Sequence, residues 1–287
     1  MQLRLFRHLW GVDTSAGYEA LFGRYRACGY GGIEAAWQFI DDKAAFAQAL
    51  KIHELAFIPQ IFSHRFRGDS RPGGGSVAEH LATLRAEVAS VAEYQPLLLN
   101  AQSGSDAWEL AEAVDYYGRA LELATEFGVR IAHETHRLTY LFNPWHTRNL
   151  LRQVPALELC CDFSHWVCVC ERLLDDVPDL IALAADHCLH LHARVGYPEG
   201  PQVPDPRAPE YADALAAHET WWQLVWQAQQ RRGLEVSTLT PEFGPAPYLH
   251  TLPHTNVPVA DLNAICDWQA ARQRTAFAAC VIKNEAV

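Results

Sequence analysis

The chain carries no excess of positive charge. Its 287 residues hold 23 Lys and Arg against 34 Asp and Glu, a formal net charge of −11. Nucleic-acid phosphates call for a basic face, so no nucleic-acid partner is expected and a small metabolite fits better. No apolar run reaches the eighteen or so residues of a membrane-spanning helix, which excludes a membrane partner of that kind. Met1-Gln2-Leu3-Arg4-Leu5-Phe6 lacks the basic stretch, apolar core and small-residue site of a secretory signal, and the expectation is a soluble, cytoplasmic protein. The eight cysteines include no CxxC. Cys160, Cys161, Cys168 and Cys170 are therefore expected as free thiols around one strand and loop, since structural zinc sites use tighter paired spacings. Linkers and low-complexity tracts are absent too. So is the glycine-rich turn that a doubly wound, dinucleotide-binding sheet would need after its first strand.

What the chain does have is a regular alternation. A strand over 3–10 leads to a helical face marked by Tyr18, Leu21, Phe22 and Tyr25 that stops at Gly29. Strands over 31–37 and 56–62 bracket a helix over 43–55. A glycine-rich loop over 63–75 carries Arg65, Arg67 and Arg71. It closes on Ser76-Val77-Ala78-Glu79, a capping-box spacing that starts the next helix. A strand over 97–100 precedes a long helix ended by Gly128. Strands five to eight fall at 129–134, 156–162, 188–192 and 234–242, with helices over 144–153, 178–185, 211–232 and 259–279. A proline-rich stretch over 196–209 reads as a long stiff loop. Eight strand and helix pairs, in a chain close to the roughly 250 residues typical of such a barrel, predict a single-domain α/β (β/α)8 TIM barrel over residues 1–287.

Strands five to eight each end in a ligand-type residue: Glu134, Asp162, His192 and Glu242. The carboxyl ends of barrel strands form the active-site face, so the four are expected to converge there. Three carboxylates at one mouth repel one another unless a cation sits among them. A mostly oxygen set with one imidazole suits one divalent ion, Mn2+, Mg2+ or Co2+, with Zn2+ acceptable. His190 shares the inward face with His192 one layer deeper and reads as a supporting residue. Glu34, ending strand two, either binds sugar hydroxyls or pairs with an arginine. His64 follows strand three as a further mouth candidate. Arg65, Arg67 and Arg71 either meet an acidic substituent or are simply solvated, and Trp10, Trp37 and Trp166 either pack on a sugar face or belong to the core.

Four motifs, Glu134 with His136, Asp162-Phe163-Ser164-His165, His190-Leu191-His192-Ala193-Arg194 and Glu242-Phe243-Gly244, resemble the xylose isomerase-like barrel superfamily. The match is to its sugar isomerase and epimerase branch, which shares its fold with endonuclease IV. The resemblance implies a metal held by Glu134, Asp162, His192 and Glu242, and a ketose or related keto-sugar as substrate. Glu134 and Glu242 would act as acid and base through a metal-stabilised enediolate. It also implies that His165 and Arg194 hold substrate oxygens, with His136, Glu34 and His64 as further substrate contacts. Arg194 lies only two residues after His192, where the family's substrate arginine comes later; that place matches the lysine of the HxK motif in related inosose dehydratases. A lyase or dehydratase working on an inosose or 3-keto-glycoside through the same enolate is the alternative. A DNA repair endonuclease and a non-catalytic sugar-binding barrel fit less well. The sugar, its phosphorylation and the native metal are not set by the sequence, and a homo-oligomer is compatible with it.

Overall fold

The computed structural model describes residues 1–64 and 75–285, with side chains through Val281. Eight parallel strands close on themselves in chain order: β1 (Gln2–His8), β2 (Gly32–Ala36), β3 (Ala56–Phe62), β4 (Leu99–Gln102), β5 (Ile131–Glu134), β6 (Leu159–Cys161), β7 (Cys188–His192) and β8 (Val236–Thr240), with β8 pairing to β1. Around them run α1 (Tyr18–Ala27), α2 (Lys43–Ile52), α3 (Val77–Val91), α4 (Leu110–Phe127), α5 (Pro144–Leu151), α6 (Phe163–Cys170), α7 (Pro178–His187), α8 (Ala212–Arg231) and α9 (Leu262–Glu285). The expected (β/α)8 barrel is the fold observed. Among the described residues, no helix is long and apolar enough to cross a membrane.

Several element bounds shift by a few residues from the sequence reading, β6 to Leu159–Cys161 and α9 to Leu262–Glu285 among them, and two departures are informative. β4 spans Leu99–Gln102 rather than 97–100: Asn100 pairs with both β3 and β5, Gln102 pairs with β3, and both amides are buried, so the strand runs on past the leucines. α6 was expected as loop. It spans only eight residues and is rich in cysteine and valine, too short to display a helical period, yet Asp162 starts it by accepting from Ser164 N at 3.0 Å.

Strand alternation sorts the side chains into two compartments. Outward-facing residues of the strands join the helices in one large apolar cluster. Inside the barrel, Phe6, Ile58, Leu98, Ala132, Cys160 and Leu189 form a separate apolar layer. Phe6 fits there only because β2 offers a glycine: a Cβ on Gly32 would lie 2.1 Å from its ring. The β6–β7 register slips between Leu159 and Cys160, which brings Leu189 into the apolar layer while His190 and His192 remain inside. Above the layer most inward side chains are polar, with Ala36 and Phe62 as apolar members, and there the site is built.

Two histidines are sealed outside the site. His133 lies 2.7 Å from Ser103 Oγ through Nδ1, and His218 donates to Ala214 O at 2.8 Å while accepting from Gly196 N at 3.3 Å. Burial lowers His133 to about 3 and His218 to about 4. Both are neutral when folded, whereas the unfolded chain takes up their protons below about pH 6.5. The stability each contributes is therefore lost as pH falls from there toward the folded value, by up to about 1.4 kcal/mol per pH unit per group. Urea unfolding at pH 7.0 and pH 5.5 should show a smaller pH dependence in His133→Asn than in the parent; equal pH dependence would remove His133 as a source of acid lability.

Candidate metal centre and its cavity

Four consecutive strands deliver four side chains to one place. Glu134 is the last residue of β5, Asp162 caps α6 directly after β6, His192 ends β7, and Glu242 follows β8 by two residues. All four are buried, and each offers one atom within 4.8 Å of the others. His192 Nδ1 stands 3.0 Å from Glu242 Oε2, 3.8 Å from Glu134 Oε1 and 3.8 Å from Asp162 Oδ2. Among the described residues, His192 Nδ1, Glu134 Oε1 and Glu242 Oε2 have no hydrogen-bond partner. Orphaned buried polar atoms are costly, so three facing one point mark a place for a ligand.

The opposite atoms of these groups are tethered. Glu134 Oε2 accepts from Asn100 Nδ2 at 3.0 Å, Gln102 Nε2 at 3.1 Å and Gln60 Nε2 at 3.5 Å. Gln60 also donates to Glu242 Oε1 at 3.4 Å. Asp162 spends Oδ1 on the cap of α6, which leaves Oδ2 for the site. The cap and the ligand candidate are thus one side chain facing two ways.

Glu34 holds the back of His192. It was expected to meet sugar hydroxyls or an arginine; instead its carboxylate is fully buried and does not line the cavity. His192 Nε2 donates to Glu34 Oε1 at 3.0 Å and His190 Nε2 donates to Oε2 at 3.1 Å, while Asn100 Nδ2 donates to Oε1 at 3.0 Å and Thr240 Oγ1 to Oε2. A carboxylate on Nε2 fixes the imidazole tautomer and presents the bare Nδ1 to the centre. His190 is the deeper residue, its Nδ1 2.8 Å from Thr238 Oγ1.

Arg194 spans two of the acidic groups. Its Nη2 donates to Asp162 Oδ2, its Nη1 lies 3.3 Å from Glu242 Oε2, and its Nε donates to Ser164 Oγ at 3.0 Å, with the guanidinium over the Tyr248 ring at 5.1 Å. Glu134, Asp162 and Glu242 outnumber Arg194 at the centre, an excess of negative charge that a bound cation would offset. With protein charges alone, burial followed by Glu242 pushes Glu134 up to about 7. Burial acts upward on Glu242 as well, but His192 and Arg194 hold it well below the usual carboxylate range. His192 is raised against the pull of burial, chiefly by Cys160, Glu242 and Glu34. The donor set, three carboxylates and one imidazole, fits a hard divalent ion.

The remaining candidates spread around a cavity of about 340 Å³. Its polar lining includes His8, Gln60, Gln102, His136, Arg194 and Glu242, with hydroxyls from Thr14, Tyr18 and Tyr248. Trp10 lines it as well, whereas Trp37 and Trp166 are in the apolar core. His165 is buried behind Arg194, accepting from its Nη2 at 2.7 Å, with its ring 3.9 Å from that of His136. His64 does not line the cavity and packs edge-on against Phe62. Arg65, Arg67 and Arg71 lie outside the described residues. Four residues that the sequence reading missed belong to the site: His8, whose Nδ1 accepts from Trp10 N at 2.7 Å and whose Nε2 lies 3.7 Å from Glu242 Oε1, and the amides Gln60, Asn100 and Gln102. Their signal was present as polar side chains inside otherwise apolar strands.

Comparison with protein families matches the xylose isomerase-like TIM barrel over residues 22–202. Comparison with the curated proteins finds no match. Among solved structures, an L-ribulose 3-epimerase superposes with a TM-score of 0.64 at 14% identity, covering 99% of this chain and 97% of its own. A 3-keto-D-glucoside 4-epimerase from E. coli gives 0.60 at 10% identity over 96% of this chain and 100% of its own. A probable 3-DHS dehydratase from Bacillus anthracis gives 0.56 at 13% identity over 94% and 98%. At such identities the likeness is one of fold.

Glu34→Gln keeps the shape of the His192 support and removes its charge. It should weaken Mn2+ binding by about tenfold or more in calorimetric titration, as such partners of metal-bound histidines do. His192→Ala should lose the metal more completely than His190→Ala. Parental affinity in Glu34→Gln would show that the carboxylate does not orient the ligand.

Proposed function

The chain belongs to the family of xylose isomerase-like TIM barrels, and from that premise we propose that it is a divalent-metal-dependent isomerase or epimerase of a ketose or related keto-sugar. One observation carries the reading: buried His192 Nδ1, Glu134 Oε1 and Glu242 Oε2 face a common point without hydrogen-bond partners, beside Asp162 Oδ2. Glu134, Asp162, His192 and Glu242 would hold the ion. Once bound, the ion supplies electrophilic polarisation of the substrate carbonyl, which acidifies the neighbouring C–H.

The rest is the work of the chain's own side chains. Glu242 borders the cavity, and Glu134 is tied to it through Gln60. The two carboxylates act as the acid and base pair, one taking the C–H proton and the other returning one, which inverts the carbon in an epimerase. Gln60, Gln102 and Asn100 donate to the outer oxygens, which fixes the direction in which each carboxylate presents the inner one. Arg194, standing at the cavity wall with charge already directed at Asp162 and Glu242, holds a substrate oxygen and favours the negative charge that develops there. His165 positions that guanidinium, and His136 faces the cavity as a second contact.

Deuterium uptake tests this. The Mn2+-loaded protein in D2O, given ketoses, inososes and 3-keto-glycosides with an EDTA control, should incorporate deuterium at one carbon only when metal is present. Loss of water or of an aglycone would instead assign elimination through the same enolate, and silence across the panel would overturn the reading. Glu134→Gln and Glu242→Gln should each abolish exchange; parental rates in either would remove that glutamate from proton transfer.

A further inference from the structure

β1 ends on a histidine with one ring nitrogen engaged and the other idle. His8 lines the cavity and is only 2% exposed. Its Nδ1 accepts from Trp10 N at 2.7 Å. A backbone N–H can only donate, so Nδ1 is bare and the ring proton is on Nε2, in a neutral imidazole. The turn that supplies this bond is held on two sides. Leu9 N donates to Glu34 O at 3.0 Å, and the Trp10 ring packs edge-on against Tyr248 at 4.8 Å, with Gly244 too close to it for any side chain. Ring position and tautomer are therefore set before a ligand arrives.

The idle nitrogen stands beside the reacting carboxylate. Among the described residues, His8 Nε2 has no hydrogen-bond partner. Glu242 Oε1 is 3.7 Å away, beyond hydrogen-bond reach, and that oxygen already accepts from Gln60 Nε2 at 3.4 Å. Glu242 Oε2 is the oxygen beside His192 Nδ1, at 3.0 Å, where the ion would be held. Oε1 is thus the oxygen left for proton transfer, and His8 is its neighbour. A buried donor without a partner is costly unless something entering the cavity accepts from it. We propose that His8 Nε2–H binds an oxygen of the keto-sugar on the Glu242 side of the cavity, and that this bond seats the reacting C–H against Glu242 Oε1. The identity of the ligand rests on the proposed function; the fixed donor does not. His8 passes no proton on. It stays neutral, polarising an oxygen without placing a second positive charge beside Arg194.

Two amide variants separate contact with substrate from support of the turn. Asparagine matches the Nδ1 end of histidine and can still accept from Trp10 N, whereas glutamine reaches the Nε2 end and keeps a neutral donor there. Deuterium exchange by the Mn2+-loaded full chain is followed on D-fructose, L-ribulose, scyllo-inosose and methyl 3-keto-β-D-glucoside. His8→Gln should stay close to the parent, and His8→Asn should lose about tenfold or more in kcat/KM, the scale of one hydrogen bond to substrate. The opposite order, or equal rates in the two variants, would overturn the inference. A second readout uses the parent and needs no turnover: NMR of isotope-labelled histidine rings in the Mg2+-loaded protein, with His8 assigned by its absence in either variant. His8 should carry its proton on Nε2, and one of the four sugars should move that signal. A proton on Nδ1 would overturn the inference, as would an Nε2 signal that none of the sugars moves, even where exchange is seen. A moved signal with no exchange on any sugar would remove the proposed function and keep the contact.

Discussion

The site hangs on one buried carboxylate. Glu34 enters the barrel from β2 and receives His192, His190, Asn100 and Thr240. A buried charge with fewer partners would cost several kcal/mol, so the partners and the carboxylate require one another. Although burial alone acts to raise its pKa, the two imidazoles hold Glu34 ionised. His192 inherits its orientation from that bond. Asn100 also donates to Glu134, so one amide couples the support of the imidazole to the direction of a catalytic carboxylate candidate. Polar groups in a barrel interior survive only as such a closed set.

The layering follows from the same constraint. Below the network the interior is apolar, from Phe6 to Leu189; above it the side chains turn to the cavity. Strand alternation puts residues two apart at successive heights, so β1 contributes Phe6 and then His8, and β5 Ala132 and then Glu134. The chemistry of each height was therefore encoded by residue type at every second position. The three acidic groups outnumber Arg194 there, an excess of negative charge that a bound cation would offset.

That encoding explains what could be read beforehand. Glu134, Asp162, His192 and Glu242 were visible because each ends an apolar strand with a residue that has no reason to be buried there, at spacings that match one barrel unit for the first three. Glu34 was visible as a candidate but not in its role, since strand position fixes which face it takes and not who meets it across the barrel. His190 and Asn100 reach it from strands three and two positions away in the ring. Gln60 and Gln102 could have been found by asking why amides interrupt apolar strands. Tyr248 could not: it lies in the segment after β8, where no periodicity constrains it, and only the fold brings it over Arg194. α6 was hidden for the opposite reason, a helix too short to show a period.

The wall of the cavity also crosses the seam where the last strand meets the first. A Cβ on Gly244 would fall 2.1 Å from the Trp10 ring, and one on Gly11 would fall 2.7 Å from Pro245, so the segment after β1 and the segment after β8 are pressed together without room for larger groups. Gln202 tightens the same place, exchanging two hydrogen bonds with the backbone of Gly244 from the loop before α8. The binding surface is consequently a property of the finished ring. A chain still lacking β8 during synthesis has seven strands, an open edge and no assembled pocket, and it gains both closure and recognition in a single late event. Competence to bind is in this way a report that β8 and the segment after it have been made and joined to β1.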